Sequence, residues 1–383
     1  MLDTSLKISF PGKLVFGNGT LLQLADDLVQ LKSKKVFITT IEPLKPAIYE
    51  FLEKLTQNKV EVLSDTSIVQ EPTFSDFERL MTKVRPFDPD LVIGIGGGSV
   101  LDIAKLVAAQ LGNAQKLSDY VGINLLKGRG RKLVCVPATS GTGSEVSPNA
   151  ILVDDADNQK KGIISPFLVP DIVYVDPLLT LSVPASITAA TGLDALTHCL
   201  EAYTNKFSQS FIDIYAYEGM RLIAGNIINA VEDGNHIGAR EKVAMGSLLG
   251  GFCLGPVNTA GVHALSYPLG SMFHLAHGLS NALLLPYVME YNIPAATKKY
   301  AEVAMALGCE RRGSDEETAL AGVQRVRDLV KACGIPATLK EVNVPLSAIP
   351  QMAADAMKIQ RLLKNNPRLI EEKDAIEIYK AAY

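Results

Sequence analysis

The chain has 383 residues, of which 48% are hydrophobic, and a formal net charge of −4. That length exceeds one ordinary core and calls for two domains, and the near-neutral charge speaks against a nucleic-acid partner, which selects a basic face. No window of about 18 uninterrupted apolar residues occurs, and the first residues lack an apolar signal core, so neither a membrane span nor secretion is expected. The five cysteines are scattered with no C-x-x-C pair, which fits free thiols in a reducing cytoplasm.

Residues 7–16 are strand-like but interrupted by Pro11-Gly12, which reads as a hairpin or an edge pair. An amphipathic helix is expected over 20–31, a buried strand over 35–40, a helix over 45–58 and a strand over 60–65. A helix over 74–84, ending before Pro86, and a buried strand over 90–95 continue the alternation. Strands alternating with helices predict a parallel sheet covered on both faces, with ligands at the carboxyl ends of its strands.

Two turns fit such a ligand site. G-I-G-G-G-S-V-L-D at 94–102 lies between a strand and a helix over 101–111, where glycines admit a phosphate to backbone N–H groups. Its glycines are consecutive, so it departs from the G-x-G-x-x-G pattern. P-A-T-S-G-T-G-S-E at 137–145 follows the strand 132–136 with four hydroxyls and two glycines. Thr39 and Thr40 end the strand 35–40, where an acidic residue would hold an adenosine ribose; a threonine there does not repel the extra phosphate of NADP. Residues 151–161 read as a hairpin with an acidic turn, followed by an extended strand ending at Asp176-Pro177.

Beyond Pro184 strand signals almost vanish. Helical periods cover 187–203, 210–231, 239–254, 261–273, 295–307, 315–333 and 346–357. Asp194 and His198 are four apart and share one helix face. His263, His274 and His277 follow in a chain with only five histidines. A carboxylate with several imidazoles makes a mixed O/N site that suits Fe²⁺, Zn²⁺, Mn²⁺ or Co²⁺.

Several segments recur together: I-G-G-G-S-x-x-D at 95–102, P-A-T-S-G-T-G-S-E at 137–145, V-D-P at 175–177, A-T-G-L-D-A-L-T-H at 190–198, H-x13-H-G at 263–278 and N-P-R at 366–368. In this order they resemble the iron-containing (group III) alcohol dehydrogenase family over nearly the whole chain. The resemblance implies an α/β nucleotide-binding domain of residues 1–183 and an all-α metal-binding domain of residues 184–383, the two-domain plan of dehydroquinate synthase. It implies reversible hydride transfer between a small alcohol and NAD or NADP. It assigns the metal, Fe²⁺ ahead of Zn²⁺ or Mn²⁺, to Asp194, His198, His263 and His277. Gly97, Gly98 and Ser99 would meet the pyrophosphate with Asp102 nearby, and Thr139, Ser140 and Thr142 would line the phosphate and nicotinamide ribose. Lys160 would touch the cofactor. The resemblance also implies a cytoplasmic homodimer joined through residues 7–16.

Two positions depart from the family pattern. Tyr267 stands where many relatives carry a proton-relaying histidine, which leaves Tyr267 and His274 as the catalytic candidates. Thr40 stands where many NAD-preferring relatives carry aspartate. A maleylacetate-reductase-like oxoacid reductase is the nearer alternative, although such relatives typically lack the full metal set. A dehydroquinate-synthase-like lyase would need a basic cluster for a phosphorylated substrate, and the residues around the ligands offer none. A non-catalytic nucleotide binder is opposed by the intact ligand set.

Overall fold

The computed structural model describes residues 6–156 and 159–383. They divide into an α/β unit, Ile8–Thr139 with Gly143–Ser182, and a helical unit that takes in Ser140–Thr142 and Val183–Tyr383.

The α/β unit runs β1 (Lys13–Phe16), α1 (Leu21–Gln30), β2 (Lys35–Thr39), α2 (Tyr49–Gln57), β3 (Glu61–Asp65), α3 (Phe74–Phe87), β4 (Leu91–Gly96) and α4 (Gly98–Gln110). β5 (Gly122–Ile123), β6 (Lys132–Pro137), β7 (Asn149–Asp154), β8 (Gln159–Ile164) and β9 (Ile172–Val175) complete it. Six strands make one sheet in the order β1-β9-β6-β4-β2-β3, and every pairing in it is parallel. Successive residues of β2 point to opposite faces, as strand geometry requires. Val36 and Ile38 pack with Leu24, Leu28 and Phe51 of α1 and α2, whereas Phe37 packs with Phe77 and Leu106 of α3 and α4. The strand order reverses between β2 and β4, so a ligand crevice is expected at the carboxyl ends of those two strands. Thr39 pairs in register with Gly94 there.

The first segment forms a single edge strand and no hairpin. β1 runs parallel to β9, and the residues just before it, which include Pro11 without an N–H to donate, carry no strand. α3 continues through Pro86, because a proline in the last turn removes only one terminal hydrogen bond. β7 and β8 form the expected hairpin and join β5 in a separate small sheet. The tip of that hairpin, residues 157–158, lies outside the described residues.

The helical unit contains α5 (Ala185–Thr204), α6 (Ser210–Ala224), α7 (Ile227–Glu232), α8 (Ile237–Cys253), α9 (Gly261–Phe273), α10 (His277–Ala306), α11 (Asp315–Ala332), α12 (Ile349–Ala356), α13 (Gln360–Leu363) and α14 (Glu372–Ala381). α5 packs against α6, α7, α8 and α10, and from Gly192 onward it is buried on every face. Its polar residues must therefore find partners inside the protein. The helical period over 210–231 belongs to two helices, broken at Gly225 and Asn226. The one over 295–307 is the far half of α10, which begins at His277, contains Pro286 and Pro294, and kinks at Ala296. No helix among the described residues is long and apolar enough to cross a membrane.

Candidate active site

α5 carries Asp194, His198 and Glu201 on one face, at spacings of four and three residues. α9 brings His263 in its first turn, and α10 opens with His277. The Asp194 Oδ1 atom lies 3.7 Å from His263 Nε2, 3.8 Å from His277 Nε2 and 3.9 Å from His198 Nε2. Two ligands each about 2.1 Å from one ion at tetrahedral angles stand about 3.4 Å apart, so a small contraction would close this group on a metal. Asp194, His263 and His277 satisfy the mutual spacing of a metal-competent cluster. His198 joins through Asp194, and its ring stacks on that of His263 with centroids 4.9 Å apart.

Asn281, one turn after His277, was not anticipated from the sequence. Its Nδ2 lies 2.7 Å from Asp194 Oδ1, 3.1 Å from His263 Nε2 and 3.2 Å from His277 Nε2. An amide nitrogen has two hydrogens, so it can serve only two of three converging acceptors at once. A divalent cation serves all of them together, and this donor set fits one. Burial pushes the Asp194 carboxyl up, but His198, His277, His263 and Asn281 outweigh it and hold it at about 2. Burial lowers His198 despite the pull of Asp194, which favours the neutral imidazole that ligates metals.

Glu201 is the second unanticipated residue. It is 3% exposed and its Oε2 lies 2.6 Å from His263 Nδ1. The same carboxylate accepts N–H bonds from Ala260 (3.0 Å) and Val262 (2.5 Å), so it also caps the N-terminus of α9. A carboxylate on the far nitrogen of a metal-binding histidine sets its tautomer and orientation. The D-x3-H-x2-E spacing was the available signal. Glu201→Gln is expected to weaken metal affinity by about 10- to 100-fold while the protein stays folded, as read by competition against a chromogenic chelator.

Tyr267 lies one turn after His263 with its ring 6.0 Å from the His277 ring, and its hydroxyl accepts a 2.9 Å bond from Arg361 Nη2. His274 is different: it is the exposed C-cap of α9, with a left-handed φ of 55°. Among the described residues, Tyr267 and not His274 has a ring contact with the cage.

In the α/β unit, Gly97 caps α4, and Gly97, Gly98 and Ser99 are partly accessible at its N-terminus. A Cβ on Gly94 would come within 2.8 Å of Ala104, and one on Gly96 within 2.8 Å of Val100, so these two glycines permit the close strand–helix packing. Asp102 accepts from Ser144 Oγ (2.5 Å) and Ile151 N (2.9 Å), which ties the second glycine-rich loop to α4. Buried Lys105 donates to the carbonyls of Ser147 (2.9 Å) and Asn149 (2.7 Å) and holds the same segment. Thr139 is half-buried in this unit, whereas half-buried Ser140 and Thr142 belong to the helical unit. Between them, Gly141 has Thr191 of α5 where a Cβ would stand. Lys160 pairs with Glu71. Thr39 and Thr40 are buried, and their hydroxyls have no partner.

A doubly wound sheet with a glycine-rich turn at the head of α4 and a helical unit with a buried carboxylate–imidazole cage are the parts of a metal-dependent, nucleotide-linked dehydrogenase. The profile for iron-containing alcohol dehydrogenase matches residues 11–177, and that for the C-terminal part of the Fe-containing alcohol dehydrogenase family matches residues 188–383. The chain is 38% identical to long-chain-alcohol dehydrogenase 1 of Geobacillus thermodenitrificans, over 98% of this chain and 96% of that one. It is 30% identical to NAD-dependent methanol dehydrogenase of Bacillus methanolicus, over 97% and 98%. The crystal structure of a 1,3-propanediol oxidoreductase superposes with a TM-score of 0.95 at 31% identity, covering 99% of this chain and 100% of the other. The protein belongs to the iron-containing alcohol dehydrogenase family and is an oxidoreductase acting on CH–OH groups.

Proposed function

We propose that the protein interconverts alcohols with aldehydes or ketones, using NAD or NADP and one divalent ion, Fe²⁺ first, at Asp194, His198, His263 and His277. The metal domain would be residues 184–383 and the nucleotide domain residues 1–183. The observation that carries this reading is the convergence of three acceptor atoms on one point. When bound, the metal supplies Lewis acidity to the substrate oxygen, and the nicotinamide gives or takes the hydride.

The chain's own residues do the rest. The side chains of Asp194, His198 and His263 are only 4–6% exposed and keep water from the buried side, while His277 at 30% leaves one edge open. Glu201 fixes the His263 ring. Tyr267, against the open edge, is assigned the hydrogen bond that passes the substrate proton; exposed His274 is the further member of that path. Gly97, Gly98 and Ser99 meet the pyrophosphate at the α4 N-terminus. Thr139, Ser140 and Thr142 bind the phosphate and ribose, with Lys160 beside them, and Asp102 acts by fixing the loop. Neutral Thr40 brings no negative charge against a 2′-phosphate, so neither NAD nor NADP is excluded there. The same reading includes a cytoplasmic homodimer joined through residues 7–16.

The test is a panel of aldehydes and ketones assayed with NADH and with NADPH on protein of measured metal content. Turnover is expected only in metal-loaded protein, with NADH or with NADPH. Fully loaded protein that reduces no carbonyl compound with either nucleotide overturns the reading.

A further inference from the structure

The cage has one open edge, at His277, and the side chain against that edge is Tyr267. Tyr267 in turn holds a cation. Arg361, on α13, donates Nη2 to the Tyr267 hydroxyl at 2.9 Å and lays its guanidinium 5.8 Å from the ring centroid. Arg361 is half-buried, and among the described residues no carboxylate lies within ion-pair distance of it. A guanidinium offers five N–H donors in a fixed fork that matches a carboxylate or sulfonate. A half-buried cation with no ion-pair partner among the described residues, held by the side chain that packs beside partly exposed His277, has the chemistry of an anion subsite.

We propose that Arg361 binds a terminal anionic group of the substrate, so that the enzyme favours short aldehydes bearing a carboxylate or sulfonate over uncharged aldehydes of equal length. This rests on the alcohol–aldehyde reading. The reaction is unchanged: hydride passes from NAD(P)H to the carbonyl carbon, a proton joins the oxygen, and the products are the alcohol and NAD(P)⁺. The anionic group stays intact and serves only to bind and orient the chain, with Tyr267 holding the guanidinium in place.

Matched pairs test it on the metal-loaded enzyme: butanal against 4-oxobutanoate, and acetaldehyde against sulfoacetaldehyde. The unmodified enzyme is expected to show at least about a tenfold higher kcat/KM for the anionic member of one pair, and the pair that shows it tells carboxylate from sulfonate. Arg361→Met should lower the ratio of anionic to neutral kcat/KM by about 30-fold or more, mainly through KM, and Arg361→Lys should recover part of it. An equal loss on both members, or a preference for butanal in the unmodified enzyme, overturns the subsite and leaves Arg361 as a prop for Tyr267. Calorimetric binding of 4-hydroxybutanoate separates this from failure of the oxidoreductase reading. If no aldehyde is reduced, binding about tenfold weaker in Arg361→Met still supports the subsite, and equal binding in the two proteins rejects it.

Discussion

His277→Ala is expected to release the metal and lower turnover by about three orders of magnitude, because the several kcal/mol that a Lewis acid contributes to the transition state goes with the ion. His277 is the cleanest position for this test. Its ring is 30% exposed, whereas removing His263 would also strip a partner from buried Glu201. Elemental analysis after gel filtration reads the metal, and steady-state rates read the turnover. His274→Ala, at the exposed end of α9, is expected to keep the metal and to lose turnover only in part. Full metal and full rate in His277→Ala would show that the cage has been assigned to the wrong residues.

Gly278→Ala is expected to damage the same centre without touching a ligand. A Cβ at Gly278 would lie 2.3 Å from the Ala190 carbonyl oxygen and 3.2 Å from Asp194 Cβ. The obstructing atom is helix backbone, so relief requires α5 and the first turn of α10 to separate. Overpacking of this kind costs about 2–3 kcal/mol, and the separation moves His277 away from Asp194. A fall in Tm of roughly 5–10 °C, together with weaker metal binding, is the expected outcome. Gly128→Ala is the control, since a Cβ there meets nothing within 4 Å. Equal Tm and equal metal affinity in the Gly278 and Gly128 variants would show that the close approach of α5 and α10 does not set the cage.

Much of the fold was legible in the periodicity. Buried strands such as Leu91–Gly96 announce a parallel sheet because both faces must be apolar, and the helix Gly261–Phe273 has the predicted bounds. The misreadings arise where a local signal competes with packing. Pro286 and Pro294 hid the first half of α10, since proline reads as a helix stop although the surrounding helices retain it inside a kinked one. The periodicity across Gly225 concealed the end of α6 for the opposite reason, because the apolar pattern continues into α7.

The site divides along the same line. That Asp194, His198 and Glu201 share a face follows from 3.6 residues per turn and is decided by the sequence alone, as are the choice of oxygen and nitrogen donors and the glycine-rich turn before α4. That His263 and His277 reach the same carboxylate oxygen, that Asn281 addresses all three acceptor atoms, and that Arg361 stands on Tyr267 are decided by tertiary structure. Apart from Asn281 and His277, which are one turn apart on α10, these contacts join residues 18 to 94 positions apart, and no local period relates them. They depend on how closely separate helices approach, and at α5 and α10 that distance is set by the missing side chain of Gly278.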